Sequence, residues 1–137
     1  MVIQDSPPKF LIVDDDQSLR TVLKIALESR GNVEVIEAHD GADALRLIDE
    51  MDLAAVFVDL LMPNMTGIEL LDKLSRRGSM PKVVVMTALR EAISDQPSAD
   101  QPLTNQLQRL GAARVLKKPF HIAEFFSVVE EMMAVPA

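Results

Sequence analysis

The sequence predicts one α/β domain, a doubly wound five-stranded parallel sheet with helices on both faces. Three observations lead there. Short apolar runs and amphipathic runs alternate five times along the 137 residues. Four of the apolar runs are near-continuous, as strands covered on both faces require. Strand ends fall on polar residues followed by turns rich in Asp, Gly or Pro. Such alternation yields parallel strands joined by right-handed crossovers through helices.

Residues 1–8 read as a loose, flexible tail closed by Pro7-Pro8, which neither extend a helix nor pair inside a sheet. The single domain then occupies 9–137. Phe10, Leu11, Ile12 and Val13 make the first strand, at 9–13. Over 17–30, Leu19, Val22, Leu23, Ala26 and Leu27 recur at helical spacing, and Gly31 stops the run. Residues 33–38 alternate, Val33, Val35 and Ala38 being separated by Glu34 and Glu37, the pattern of a less buried strand near a sheet edge. Asp40-Gly41 turns the chain into a helix with a narrow stripe of Leu45, Ile48 and Met51.

Residues 54–58 form a fully apolar strand that stops on Asp59, and a Pro/Asn/Gly loop follows as far as Gly67. Ile68, Leu71 and Leu74 mark a third helix ending near Arg77-Gly78. The β-branched run 82–86 is a fourth strand, closed by Thr87. Residues 88–102 have no period and include Pro97 and Pro102, an unusually long connection for a compact domain. Leu103, Leu107 and Leu110 then mark a short helix, with Asp100 as candidate cap and Gly111 as stop. The fifth strand, 113–116, leads to Lys118-Pro119, and Ile122, Phe125, Phe126, Val129, Met132 and Met133 give the last helix a broad apolar stripe.

Composition narrows the function. There is no cysteine, which excludes thiolate metal sites, disulfides and thiol redox chemistry. A formal charge of −7 opposes a nucleic-acid surface, which needs clustered Lys and Arg to displace counterions. No run approaches the ~18 apolar residues of a membrane span, and the first residues lack the pattern of a signal peptide. A cytoplasmic protein with no membrane partner is expected.

In open α/β sheets, ligands bind outside the carboxyl ends of the strands. Four strand-end signals meet there: Asp14-Asp15-Asp16, Asp59, Thr87 and Lys118-Pro119. Singly, each of the others has an ordinary reading as a solvated turn, a strand end or a surface lysine; their joint placement after four apolar strands is what counts. Clustered carboxylates repel unless a cation joins them. A hard divalent ion such as Mg²⁺ suits oxygen ligands and leaves positions for phosphate oxygens. Lys118 adds fixed positive charge, Thr87 a hydroxyl donor and Asp59 a carboxylate nucleophile, the set that phosphoryl transfer needs.

At these residues the chain resembles a known family. Ile12-Val13-Asp14-Asp15-Asp16, Val58-Asp59-Leu60-Leu61-Met62-Pro63-Asn64-Met65-Thr66-Gly67, Met86-Thr87-Ala88 and Lys118-Pro119-Phe120 look like the four signature segments of the response-regulator receiver domain, the CheY-like module of two-component signalling. The resemblance implies the flavodoxin-like strand order 2-1-3-4-5. It implies that Asp59 takes a phosphoryl group from a histidine kinase or a histidine phosphotransfer protein. It further implies that Asp15, Asp59 and the backbone carbonyl of Leu61 hold Mg²⁺ with Asp14 assisting, that Lys118 pairs with the phosphoryl group across a cis Lys118-Pro119 bond, and that Thr87 swings inward.

Two departures stand out. Val115 occupies the position of a frequent aromatic switch residue, so a Tyr or Phe rotamer is not the readout. The 88–102 insert is longer than usual; it carries a partner site, caps the pocket, or is a tolerated surface loop. No output domain is seen, so the signal is expected to leave through a downstream partner protein or a shuttled phosphoryl group, with phosphorylation-dependent dimerisation through the last helices left open. Leu61 and Leu89 flank the site at positions that in this family influence the hydrolytic water; apolar side chains there cannot orient it, so a long-lived phospho-Asp59 is expected.

Two rival readings follow from the same residues. One is an aspartyl phosphatase of the haloacid dehalogenase type, with Asp14 as nucleophile and Asp16 as acid/base; the other is a phosphorylation-independent interaction scaffold. His39 reads as a surface residue and His121 as the start of the last helix, neither with a part in catalysis.

Overall fold

The computed structural model describes residues 7–62, 64–78, 80–88 and 102–133. Among them are β1 (Lys9–Val13), α1 (Gln17–Glu28), β2 (Glu34–Ala38), α2 (Gly41–Glu50), β3 (Ala55–Asp59), α3 (Gly67–Ser75), β4 (Val83–Thr87), α4 (Pro102–Arg109), β5 (Ala112–Lys117) and α5 (Ile122–Met133). The five strands form one parallel sheet in the order β2-β1-β3-β4-β5, as the alternation and the resemblance lead one to expect.

Pleating assigns alternate strand residues to opposite faces, and each face has its own core. Leu11, Val13, Val56, Val58, Val83 and Val85 pack with Ala44, Leu47, Leu70, Leu71, Leu74 and Leu107, so α2, α3 and α4 cover one face. Phe10, Ile12, Phe57, Val84 and Met86 pack with Leu23, Leu27, Phe125, Val129 and Met132 beneath α1 and α5. Phe57 anchors the second core, its ring centroid 6.5 Å from Phe10 and 5.0 Å from Phe125. The edge strand β2 is only partly buried, as its alternation indicates.

Several details differ from the pattern reading. Val22 and Ile122 fit the apolar stripes of their helices, yet they are 55% and 45% exposed. The helices rest on the sheet through a narrower arc than the stripes span; Leu23, Ala26 and Leu27 take it in α1. In α2 the deepest residues are Ala44 and Leu47, while Leu45, Ile48 and Met51 are partly buried at its margin. β5 begins at Ala112 and extends to Lys117, with a register irregularity opposite Val83/Val84. Phe125 is fully buried, and Phe126 packs beside it under the Arg30 guanidinium, 5.6 Å from its ring centroid. Most of the tail, the candidate cap Asp100 and positions 89–101 of the long connection lie outside the described residues.

The junction after β3 is tight. Gly67 N–H donates to Leu60 O at 2.7 Å, and Thr66 caps α3 by accepting from Glu69 N. A Cβ on Gly67 would stand 3.0 Å from Leu60 Cα and 3.1 Å from Asp59 O, both backbone atoms that cannot swing aside. Gly67→Ala is therefore expected to cost about 1–3 kcal/mol, the range for overpacked sites. Urea unfolding would show a lower midpoint with an unchanged slope; a loss below about 0.5 kcal/mol would mean that the loop yields freely.

Candidate functional site

The site is assembled by strand register. Val13 pairs with Val58, which places Asp14 beside Asp59 at the next step. Asp59 pairs with Met86, and Thr87 pairs with Lys117, so Thr87 and Lys118 belong to the same rim. Asp14 N–H donates to Ala38 O at 3.1 Å, which extends the β1–β2 pairing by one residue. Lys118 N–H donates to Thr87 O at 2.7 Å, fixing the chain just before the cis Lys118-Pro119 bond.

Side chains converge on this rim. Asp14 is fully buried; its Oδ1 accepts from Asp16 N at 2.9 Å and its Oδ2 from Lys118 Nζ at 2.9 Å. Lys118 Nζ also lies 3.5 Å from Asp59 Oδ1, so one ammonium stands between two carboxylates. Asp59 has a side-chain exposure of 13% and accepts a long bond from Leu61 N at 3.4 Å. Asp15 is exposed. Carboxylate oxygens of Asp14, Asp15 and Asp59 lie within 4.8 Å of one another. Thr87 closes β4 with 1% exposure.

Burial raises the Asp59 pKa above the ordinary carboxylate value, and the charge of Asp14 pushes the same way; Lys118 and the Leu61 N–H oppose both. Lys118 thus only partly offsets the burial of Asp59 and the charge of Asp14. That imbalance, together with donors that are all hard oxygens, fits a divalent cation of the Mg²⁺ class. Among the described residues, Asp14, Asp15 and Asp59 are the side chains that could hold it.

The structure brings together Asp14, Asp15, Asp59 and Lys118, with Thr87 on the adjoining strand tip. Leu61 follows Asp59 with its side chain 54% exposed. Leu89 lies outside the described residues. Asp16 serves the main chain instead, its Oδ1 accepting from Ser18 N and Leu19 N as the cap of α1. His39 is 69% exposed beside Asp40 and Asp43, and His121 N–H donates to Glu124 Oε1 at the start of α5. Arg20 is a site neighbour that pattern reading passes over. It donates to Asp14 O and to Glu37 Oε1, and its position one turn beyond Asp16 was the available signal.

The raised Asp59 pKa fixes the sign of a pH effect. A carboxyl whose folded pKa exceeds its unfolded value contributes stability below the unfolded pKa, and this is lost as pH rises through the folded pKa. In chelator, Asp59→Asn should therefore melt above wild type at pH 7, with the difference shrinking toward pH of about 4, the ordinary carboxylate range. Melting curves between those limits check it. A variant that melts below wild type at pH 7 would contradict the electrostatic account.

Comparisons with known proteins agree with this geometry. A family profile described as the response regulator receiver domain matches residues 10–130. The transcriptional regulatory protein FixJ of Azorhizobium caulinodans is 34% identical over 118 residues, covering 86% of this chain and 51% of FixJ, so the chain spans about half the length of that relative. The response regulator receiver protein CpdR of Brucella abortus is 30% identical over 125 residues, covering 91% of this chain and 96% of CpdR. The solved receiver domain of the Francisella response regulator 1452 superposes with a TM-score of 0.77 at 27% identity, covering 92% of this chain and 96% of that one. With strand order, acidic pocket and lysine already in place, these matches make the chain a member of the response regulator receiver domain family.

Proposed function

We propose that this receiver accepts a phosphoryl group on Asp59 from a phosphohistidine donor, in a Mg²⁺-dependent reaction, and signals through a partner protein. The observation that supports it most is Lys118 Nζ held 2.9 Å from Asp14 and 3.5 Å from Asp59, at the mouth of a three-carboxylate pocket. The donor is a histidine kinase or a histidine phosphotransfer protein, met in the cytoplasm. Among the described residues no helix is long and apolar enough to cross a membrane.

An Asp59 carboxylate oxygen attacks phosphorus, and the phosphorus–nitrogen bond breaks with its electron pair left on the imidazole. Asp15 and Asp59, with the Leu61 carbonyl and with Asp14 assisting, would hold Mg²⁺, whose charge would offset that of the crowded carboxylates and of the phosphoryl oxygens. The Lys118 ammonium turns from Asp59 to the equatorial oxygens of the transferring group, where charge stabilisation is most of the catalysis. The Thr87 hydroxyl donates to the new phosphoryl oxygens. Phosphorylation adds about −1.5 to −2 charges at the rim, and the Thr87 loop together with α4 is the element whose equilibrium that charge biases. The altered surface then engages the downstream partner or a second copy of the chain.

The phosphatase alternative loses support at two residues. Asp14, its nucleophile, is fully buried with both oxygens occupied, and Asp16, its acid/base, is the cap of α1. A phosphorylation-independent scaffold leaves the full acid, threonine and lysine set without a role.

Acetyl phosphate in Mg²⁺ should label wild type at one site and leave Asp59→Asn unlabelled, read by intact mass; label on Asp59→Asn would refute the assignment. Lys118→Ala should slow labelling by about 10²-fold, the scale for losing one charge-stabilising donor. Leu61→Asn supplies a group able to orient water, so its label should decay faster than that of wild type. Unchanged or slower decay would remove the case for an intrinsically long-lived phospho-Asp59.

A further inference from the structure

We propose that Arg20 is a positioning residue for the cation site: braced by Glu37, it clamps the Asp14 carbonyl and so sets the place of Asp15 relative to Asp59. This rests on the receiver reading of the site and adds a residue to it.

The clamp begins with a missing hydrogen-bond partner. In a parallel strand the N–H and C=O of one residue point toward the same neighbour, and Asp14 N–H points at β2, where it meets Ala38 O at 3.1 Å. β2 ends at Ala38, one residue pair too early to offer a donor to the Asp14 carbonyl. A buried carbonyl left without a donor is unfavourable, because it has lost water and gained nothing in exchange. Arg20 supplies the donor: its Nη1 reaches Asp14 O at 2.5 Å.

The guanidinium is itself immobilised. Its Nε donates to Glu37 Oε1 at 3.0 Å, and its side chain is 14% exposed. Glu37 belongs to β2 and also faces Lys24 Nζ at 3.8 Å. The Arg20 backbone is held as well, its N–H donating to Asp16 O at 3.1 Å in the first turn of α1. The planar fork thus joins α1, β2 and the end of β1, a geometry that an ammonium cannot reproduce. The Asp14 carbonyl belongs to the peptide plane leading into Asp15. Fixing that plane fixes the direction in which Asp15 leaves the chain, hence the separation of its carboxylate from Asp59. Partners of this outer kind govern metal affinity by about 10–100-fold in other proteins.

Charge and position make opposite predictions for Arg20. As a nearby positive charge it would weaken cation binding, and Arg20→Ala would bind Mg²⁺ more tightly. As a positioning residue it favours binding, and Arg20→Ala should bind about tenfold more weakly. Titration calorimetry with MgCl₂ alone reads this, backed by the Mg²⁺-dependent rise in melting temperature. Arg20→Lys keeps the charge, is the variant least prone to misfold, and should also bind several-fold more weakly. Unchanged affinity in both variants, even with lower melting temperatures, would reduce Arg20 to a structural residue and overturn the proposal, as would tighter binding in Arg20→Ala. Asp15→Asn serves as the control that abolishes binding. If wild type binds but the Arg20 variants match it, the clamp fails while the receiver reading stands; if wild type binds no Mg²⁺, both fall together.

Discussion

The hydrogen-bond register between β1 and β3 is the constraint from which the site follows. With Val13 locked opposite Val58, the next residues on both strands are carboxylates, and the chain cannot separate them without breaking the central pair of the sheet. Their repulsion is held in check by Lys118, brought in from the far side by β4 and β5. The apolar strands thus do more than fill a core. They force acids together at a place where water alone would keep them apart, and the raised Asp59 pKa reflects first its burial and then the neighbouring charge of Asp14.

The same register explains how far the sequence could be read. Continuous β-branched and aromatic runs announce buried parallel strands, and polar residues at their ends mark the rim; both survive inspection of the structure because strand period and crossover handedness leave few alternatives. Asp14, Asp15, Asp59 and Lys118 were legible for that reason. Depth was less so. Val22 has the spacing of a core residue and stays exposed, because spacing gives a direction around the helix axis but not the width of the contact beneath it. Ala44, too small to mark a stripe, is fully buried where α2 approaches the sheet.

Side chains that serve the main chain were the least legible. Asp16 looked like a third member of an acidic cluster, yet it caps α1. Arg20 drew no notice in the pattern, yet it closes a gap left by the early end of β2. Period alone gives neither role; each depends on which backbone group lacks a partner after the strands have paired. A count of unsatisfied carbonyls and amides at element ends is therefore the natural complement to hydrophobic periodicity when a sequence is searched for residues that steady a site.

The partition of the interior into two cores has a further meaning for how such a domain can vary. Phe57 sees α1 and α5, whereas Val56 and Val58, its chain neighbours, see α2, α3 and α4. Because the sheet lies between them, a change of volume in one compartment has no direct neighbour in the other, and effects at separated sites tend to add. Lineages can therefore remodel one side of the molecule while the other drifts little, with the acidic strand tips as the seam common to both.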